Sequence, residues 1–359
     1  MTSCAKHDRI HALEQRLASI EILLTALAGP PPQNPDTMAQ MNPTEQDHAI
    51  YLQNLDLAGP TASGVSPAPS QDMTNNHRGS STQSAPQTVT AAIDQMELPP
   101  MSEVLPVVDN YFRSFNAIIP LFDETAFMRM LLDWFSLPNK RSMVSWAAIN
   151  VVLGISYRIC QGRNMSDPAL AQCIQNVRSI MSEVMTQEED LLGVQVLLGI
   201  VILHQGSSEY KLAVVLIGSV VRMVQSLRLH SKQALAGRSK AEKLQRCRLF
   251  WLAYIYDREL AVWSRTTYHQ KDSETDIELP EEDPADDLGM ITSPGDNVRF
   301  NYFRTRVQLA HIQGKANDIL YSQESQKLTE EQKIKAITRT EGMLSEWVFC
   351  SGCRQWRRI

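Results

Sequence analysis

The chain has 359 residues, 43% of them hydrophobic and 21% charged, with a formal net charge of -6. Its 6 Trp, 9 Tyr and 9 Phe suffice for one sizeable core, and the acidic balance argues against nucleic-acid binding on electrostatics alone. Six scattered cysteines, Cys4, Cys160, Cys173, Cys247, Cys350 and Cys353, imply free thiols in a reducing compartment; no secretory leader pattern is found, and the longest apolar runs, Leu191 to Leu203 and Leu212 to Val221, are too short to span a bilayer.

Residues 1–28 carry Ile10, Leu13, Leu17, Ile20, Leu24 and Leu27 at 3-4-3-4-3 spacing before Gly29-Pro30-Pro31-Pro32 ends the helix. With Ile10 at a, Arg9 and Arg16 fall at g and Glu14 and Glu21 at e, so both cross-pairs attract in a parallel homodimer. The pattern predicts a dimerising coiled coil; an amphipathic helix lying on the domain fits the same spacing. In residues 29–97 the composition turns to Pro, Ser, Gln and Asn, and 11 of the 18 prolines fall between Pro30 and Pro100. That stretch reads as a disordered linker.

Residues 98–347 read as helix after helix, which makes the fold class all-α. Val104, Leu105, Val108, Tyr111, Phe112 and Phe115 share one helical face, and a turn at Ile118 to Phe122 leads to a second helix through Phe127, Leu131 and Phe135. Further helices are expected over Ser142 to Cys160, Asp167 to Met185, Glu188 to His204, Glu209 to Leu229, Val298 to Tyr321 and Thr329 to Trp347. The central helix begins near Glu242, with a core-facing stripe of Leu244, Cys247, Trp251, Tyr254, Ile255 and Val262 and with Arg246, Arg248 and Arg258 off that stripe. The pair Asp257-Arg258 either holds a neighbouring element or is solvated. Beyond it an acid-rich segment runs to Leu279-Pro280. Residues 348–359 have no helical stripe and read as an irregular, truncated or frame-changed tail.

Catalytic and metal signatures are weak. The spacing of Asp272, Glu274, Asp276 and Glu278 imitates a calcium loop, but Ile277 stands where the sharp turn needs Gly. Glu282-Asp283-Pro284-Ala285-Asp286 imitates the magnesium-diphosphate motif of helical terpene synthases, with Pro284 inside the required turn. Cys350 and Cys353 lack further ligands nearby, and His204, His230 and His311 read as single core or surface histidines.

Arg246 to Trp251, Tyr254-Ile255-Tyr256-Asp257-Arg258 and Asp276-Ile277-Glu278-Leu279-Pro280 resemble the regulatory domain of the fungal zinc binuclear-cluster transcription factors. The family-motif residues are Arg246, Trp251, Asp257, Arg258, Asp276 and Pro280. Ser226-Leu227-Arg228-Leu229-His230 is similar to the family's Leu-Gly-Leu-His turn, with Arg228 in the glycine's place, and Ser264-Arg265-Thr266 stands where members show Gly-Arg-Pro. The six-cysteine zinc cluster of the family is missing from this sequence: it is lost, lies upstream, or the chain is a cluster-less relative. The resemblance implies a transcription regulator in the nucleus, controlling a metabolic or specialised-metabolite gene set through a gating, metabolite-sensing helical domain. It also implies a homodimer or a heterodimer with a related factor, DNA reached indirectly or through that cluster, no cofactor in this chain unless zinc binds upstream, no membrane and no catalysis. The alternative is an all-α enzyme of specialised metabolism using residues 272–287.

Overall fold

Ten consecutive residues, Trp146 to Ile155, are buried on every side of one helix, and the rest of the molecule is layered around it. The structure, a computed structural model, describes residues 96–186, 190–292, 299–323 and 325–350, and side chains up to 348. The heptad residues Ile10 to Leu27, the linker up to residue 95 and the tail 351–359 lie outside the described residues.

In chain order the elements are α1 (Met101–Tyr111), α2 (Glu124–Ser136), α3 (Met143–Ile155), α4 (Pro168–Ser179), α5 (Met181–Thr186), α6 (Leu191–His204), α7 (Tyr210–Ser226), α8 (Lys232–Leu235) and α9 (Lys240–Ser264). They are followed by β1 (Met290–Thr292), β2 (Arg299–Asn301), α10 (Tyr302–Tyr321) and α11 (Glu330–Cys350). The helices pack in the succession α4, α3, α6, α7, α9, α10, α11, and α1 covers α3. The all-α reading holds for the described residues, apart from one antiparallel strand pair, β1 with β2.

Starts are set by side-chain caps. Ser142 accepts from Ser145 N at 3.1 Å, Ser239 from Glu242 N at 3.2 Å and Asn301 from Arg304 N at 2.9 Å. Thr329 and Gln332 bond each other's backbone N–H in a reciprocal capping box. The turn after α1 is held by the buried Asn116, whose side-chain oxygen accepts from Leu121 N and Phe122 N, each at 3.0 Å. Around it Tyr111, Phe112, Phe122 and Phe127 meet edge to face.

Apolarity in α3 and α6 reflects depth. Met143 to Cys160 is 18 residues long and apolar enough to cross a membrane by composition, yet 67% of it is buried inside the protein. Here α3 and α6 approach so closely that a Cβ on Gly199 would lie 2.1 Å from Val151 Cγ1. Only glycine fits there without moving Val151.

Several expected boundaries are corrected. The helix expected over Asp167 to Met185 breaks at Ile180, because Ser179 Oγ bonds the Asn176 carbonyl at 2.7 Å and Ile180 leaves helical geometry to bury its side chain. The helix expected from Val298 starts at Tyr302, since Asn301 takes the extended cap conformation and closes the strand pair. α11 continues past Trp347 to Cys350. Met96 and Leu98 pack on the core and Trp146 Nε1 donates to Glu97 O at 3.1 Å, so the folded region takes in two residues assigned above to the linker.

α7 ends in a turn where Arg228 has φ 53°, the left-handed conformation that favours glycine. Leu229, fully buried, anchors the turn. Arg228→Gly is therefore expected to stabilise the domain by about 1 kcal/mol through relief of the left-handed penalty. Urea unfolding midpoints of the two proteins check this, and an unchanged or lower midpoint counts against it.

Candidate regulatory site

Successive helical residues point about 100° apart, so three adjacent charges on one buried helix must find partners in three directions. α9 presents Asp257, Arg258 and Glu259, each 1% exposed. This corrects the single-stripe reading, because α9 is buried around its circumference and Arg246, Arg248 and Arg258 are inside.

Asp257 accepts from His269 N at 2.9 Å, Gln270 N at 2.8 Å and His269 Nδ1 at 2.8 Å. That hydrogen bond raises the His269 imidazole above its ordinary pKa. Arg258 Nη2 donates to Gln270 O at 2.8 Å and to Asp272 Oδ1 at 2.7 Å. Its guanidinium carbon lies 3.4 Å from the Tyr254 ring centroid and 4.4 Å from that of Tyr268, a cation stacked between two aromatic faces. A Cβ on Gly314 of α10 would lie 2.9 Å from Arg258 Nε, so glycine is what admits the arginine. Arg258 Nε and Nη1 have no hydrogen-bond partner among the described residues, and the two rings are their compensation.

Asp272 gathers Tyr254 Oη at 2.7 Å, Lys315 Nζ at 3.0 Å and His311 Nδ1 at 3.2 Å as well. Burial raises its carboxyl, but the hydrogen bonds from His311 and Tyr254 and the charge of Arg258 outweigh that and hold it well below the ordinary carboxylate range. Glu259 accepts from Gln205 Nε2 at 2.8 Å and pairs with Arg306 of α10.

The remaining motif residues strap the segment that leaves α9. Trp251 Nε1 donates to Glu278 O at 3.0 Å, Asp276 accepts from Lys232 N at 2.7 Å, and the Pro280 carbonyl accepts from Arg304. Arg246 stands apart and pairs with Glu242 within its own helix. So Trp251, Asp257, Arg258, Asp276 and Pro280 serve one arrangement, the exit segment bound to α8, α9 and α10. Residues 108–349 match the fungal specific transcription factor domain.

The chain belongs to that family. It is 32% identical over 254 residues to an ABC-transporter-regulating transcription factor of Aspergillus oryzae, covering 70% of this chain and 28% of that protein. To a protein described in the same words in Aspergillus fumigatus it is 30% identical, with the same coverage. A Fusaridione A cluster transcription factor, fsdR, of Fusarium heterosporum is 28% identical over 222 residues, 60% of this chain and 42% of that protein. The chain thus spans less than a third of the length of its Aspergillus relatives. No solved structure matches it.

In this member of the family the acidic segment is engaged internally. The calcium-like residues diverge: Asp272 turns to Arg258, Asp276 to Lys232 N and Glu278 to Lys232 Nζ. Those of the diphosphate-like run pair with three different arginines, Glu282 with Arg304, Asp283 with Arg299 and Asp286 with Arg248. Carboxylates neutralised in separate directions do not converge on an ion, and the enzyme reading finds no support. Among the described residues no group of three His, Cys, Asp or Glu side chains is placed to hold a metal.

Sequence reasoning missed Glu259, Gln270, Arg306 and Lys315, and it weighed Asp272 only as a metal ligand and His311 only as a lone histidine. One signal was available: Glu259 extends Asp257-Arg258 to three charges between Tyr256 and Leu260, a run that a buried helix tolerates only with partners. Removing one member of a buried pair strands the other, so Arg258→Met is expected to cost about 3 kcal/mol. Arg258→Lys should recover less than half of that loss, because an ammonium cannot stack flat and bond two oxygens at once. Urea unfolding of the three proteins at constant m-value checks this, and a loss below about 1 kcal/mol, the range of exposed pairs, would refute it.

Proposed function

We propose that this chain is part of a fungal-type transcription regulator, with its helical domain as the regulatory element, acting in the nucleus on a metabolic or specialised-metabolite gene set. The observation that carries the reading is the family match over residues 108–349, which coincides with the helical unit and its strapped exit segment. Relatives described as regulators of ABC transporters and of the Fusaridione A cluster support the kind of gene set. The function is regulatory rather than catalytic.

In this reading the domain acts on transcription when it is held at a promoter. The whole chain fused to an unrelated DNA-binding domain is expected to change output from a matching reporter at least about threefold, a shift of roughly 0.7 kcal/mol in promoter occupancy or recruitment. Output equal to that of the DNA-binding domain alone would remove the proposal.

The chain reaches DNA through a zinc cluster encoded upstream of it or through association. Ile10, Leu13, Leu17, Ile20, Leu24 and Leu27 form the seam of a coil that joins two copies, or one copy and a related factor that carries a zinc cluster. The net charge of -6 supplies no electrostatic substitute for such a module. Leu17→Asp, which places a charge in the seam, is expected to weaken self-association at least about tenfold. Sedimentation equilibrium at micromolar chain concentration reads this, and a wild type that sediments as a monomer excludes the seam.

A further inference from the structure

A cleft of about 940 Å³ lies beside the strapped segment, between α9, the strand pair, the start of α10 and the end of α11. Its size falls within the range of small-molecule sites, roughly 300–1,000 Å³. The apolar walls come from Trp251, Phe300, Ile312, Met343 and Trp347. Both indoles are pinned by their N–H groups, Trp251 on Glu278 O and Trp347 on Thr305 O, each at 3.0 Å, so what they offer to the cleft is ring carbon.

Charge narrows the occupant further. Three carboxylates, Glu282, Asp283 and Glu346, and two arginines, Arg299 and Arg304, line the cleft. Both arginines are engaged: Arg304 bonds the Pro280 carbonyl and pairs with Glu282, and Arg299 pairs with Asp283 and Asp287. An anion entering here meets an excess of acid and two cations already paired.

His311 supplies a polar end. Its Nδ1 lies 3.2 Å from Asp272 Oδ2, and a carboxylate only accepts, so Nδ1 carries a proton and in the neutral ring Nε2 is the acceptor. The side chain is 43% exposed and lines the cleft, which places that acceptor within reach of an occupant.

We infer that this cleft binds a neutral or cationic aromatic small molecule carrying one hydrogen-bond donor, with its rings between the Trp251 and Trp347 walls and its donor on His311 Nε2. The inference goes beyond the proposed function and does not rest on it, since binding is a property of the purified chain. Because Tyr254 and His311 also bond Asp272, an occupied cleft bears directly on the strap.

The test uses two dyes that share a skeleton. Phenylnaphthylamine is neutral, aromatic and carries one N–H, and anilinonaphthalene sulfonate adds a fixed negative charge to it. Titrated into the whole chain, the neutral dye is expected to bind saturably at one site, and the sulfonate at least about tenfold more weakly. Gln308→Trp, at an exposed position on the cleft lining, should abolish binding without lowering the melting temperature. His311→Phe, which keeps a ring but removes the acceptor, should weaken binding about fivefold, the loss of one hydrogen bond. Equal affinity for both dyes, binding that does not saturate, or binding untouched by either substitution overturns the inference. Binding that emerges only after residues 351–359 are deleted assigns the cleft to the chain's own end and overturns it as well.

Discussion

Three adjacent charged side chains inside a buried helix are the constraint on which this fold depends. A buried charge without a partner costs several kcal/mol, so Asp257, Arg258 and Glu259 each require a fixed counterpart. Those counterparts come from three places: the backbone of residues 269 and 270, Asp272, and the pair Gln205 and Arg306. Meeting all three requirements sets the path of the exit segment, the end of α6 and the rotation of α10 at once. A shift of α9 by one residue would leave all three unpaired.

Apolar burial supplies the driving force and this network supplies the arrangement. Replacing a buried ion pair by hydrophobic residues is often neutral or better for stability, whereas removing one partner is costly. A second, smaller core formed by Val262, Leu309, Ile312, Ala316, Ile337 and Leu344 joins the end of α9 to α10 and α11. Arg258, Asp272 and Lys315 bridge α9, the exit segment and α10 beside that smaller core. The position of α10 and α11 against α9 is thus decided by polar geometry as much as by area.

That arrangement bears on regulation. The acidic segment, the part of the sequence most suggestive of metal chemistry, is a strap whose carboxylates bond to α9, α10 and the start of α8. A cleft with apolar walls lies against it, and Tyr254 and His311 belong to both. Asp272, a single well-bonded side chain of the strap, thus touches two residues that line the cleft.

Periodicity and cap chemistry determined the helix succession, because a helix that buries a face must repeat its apolar residues every three or four positions and because Ser, Asp and Asn start helices through bonds to their own neighbours. The family motif was legible for a different reason: Trp251, Asp257, Arg258, Asp276 and Pro280 lie within thirty residues and can be matched as one local pattern. Other features needed the tertiary structure. The burial of Arg246 and Arg248 could not be read from a helix wheel, since it depends on which elements cover the second face. Asp272 looked like one acid in a run of four until Arg258, His311 and Lys315, from two helices far apart in sequence, closed on it. The cleft, built from α9, a strand pair and two later helices, has no local signature at all, because a cavity is the space that packing leaves and no residue encodes it alone.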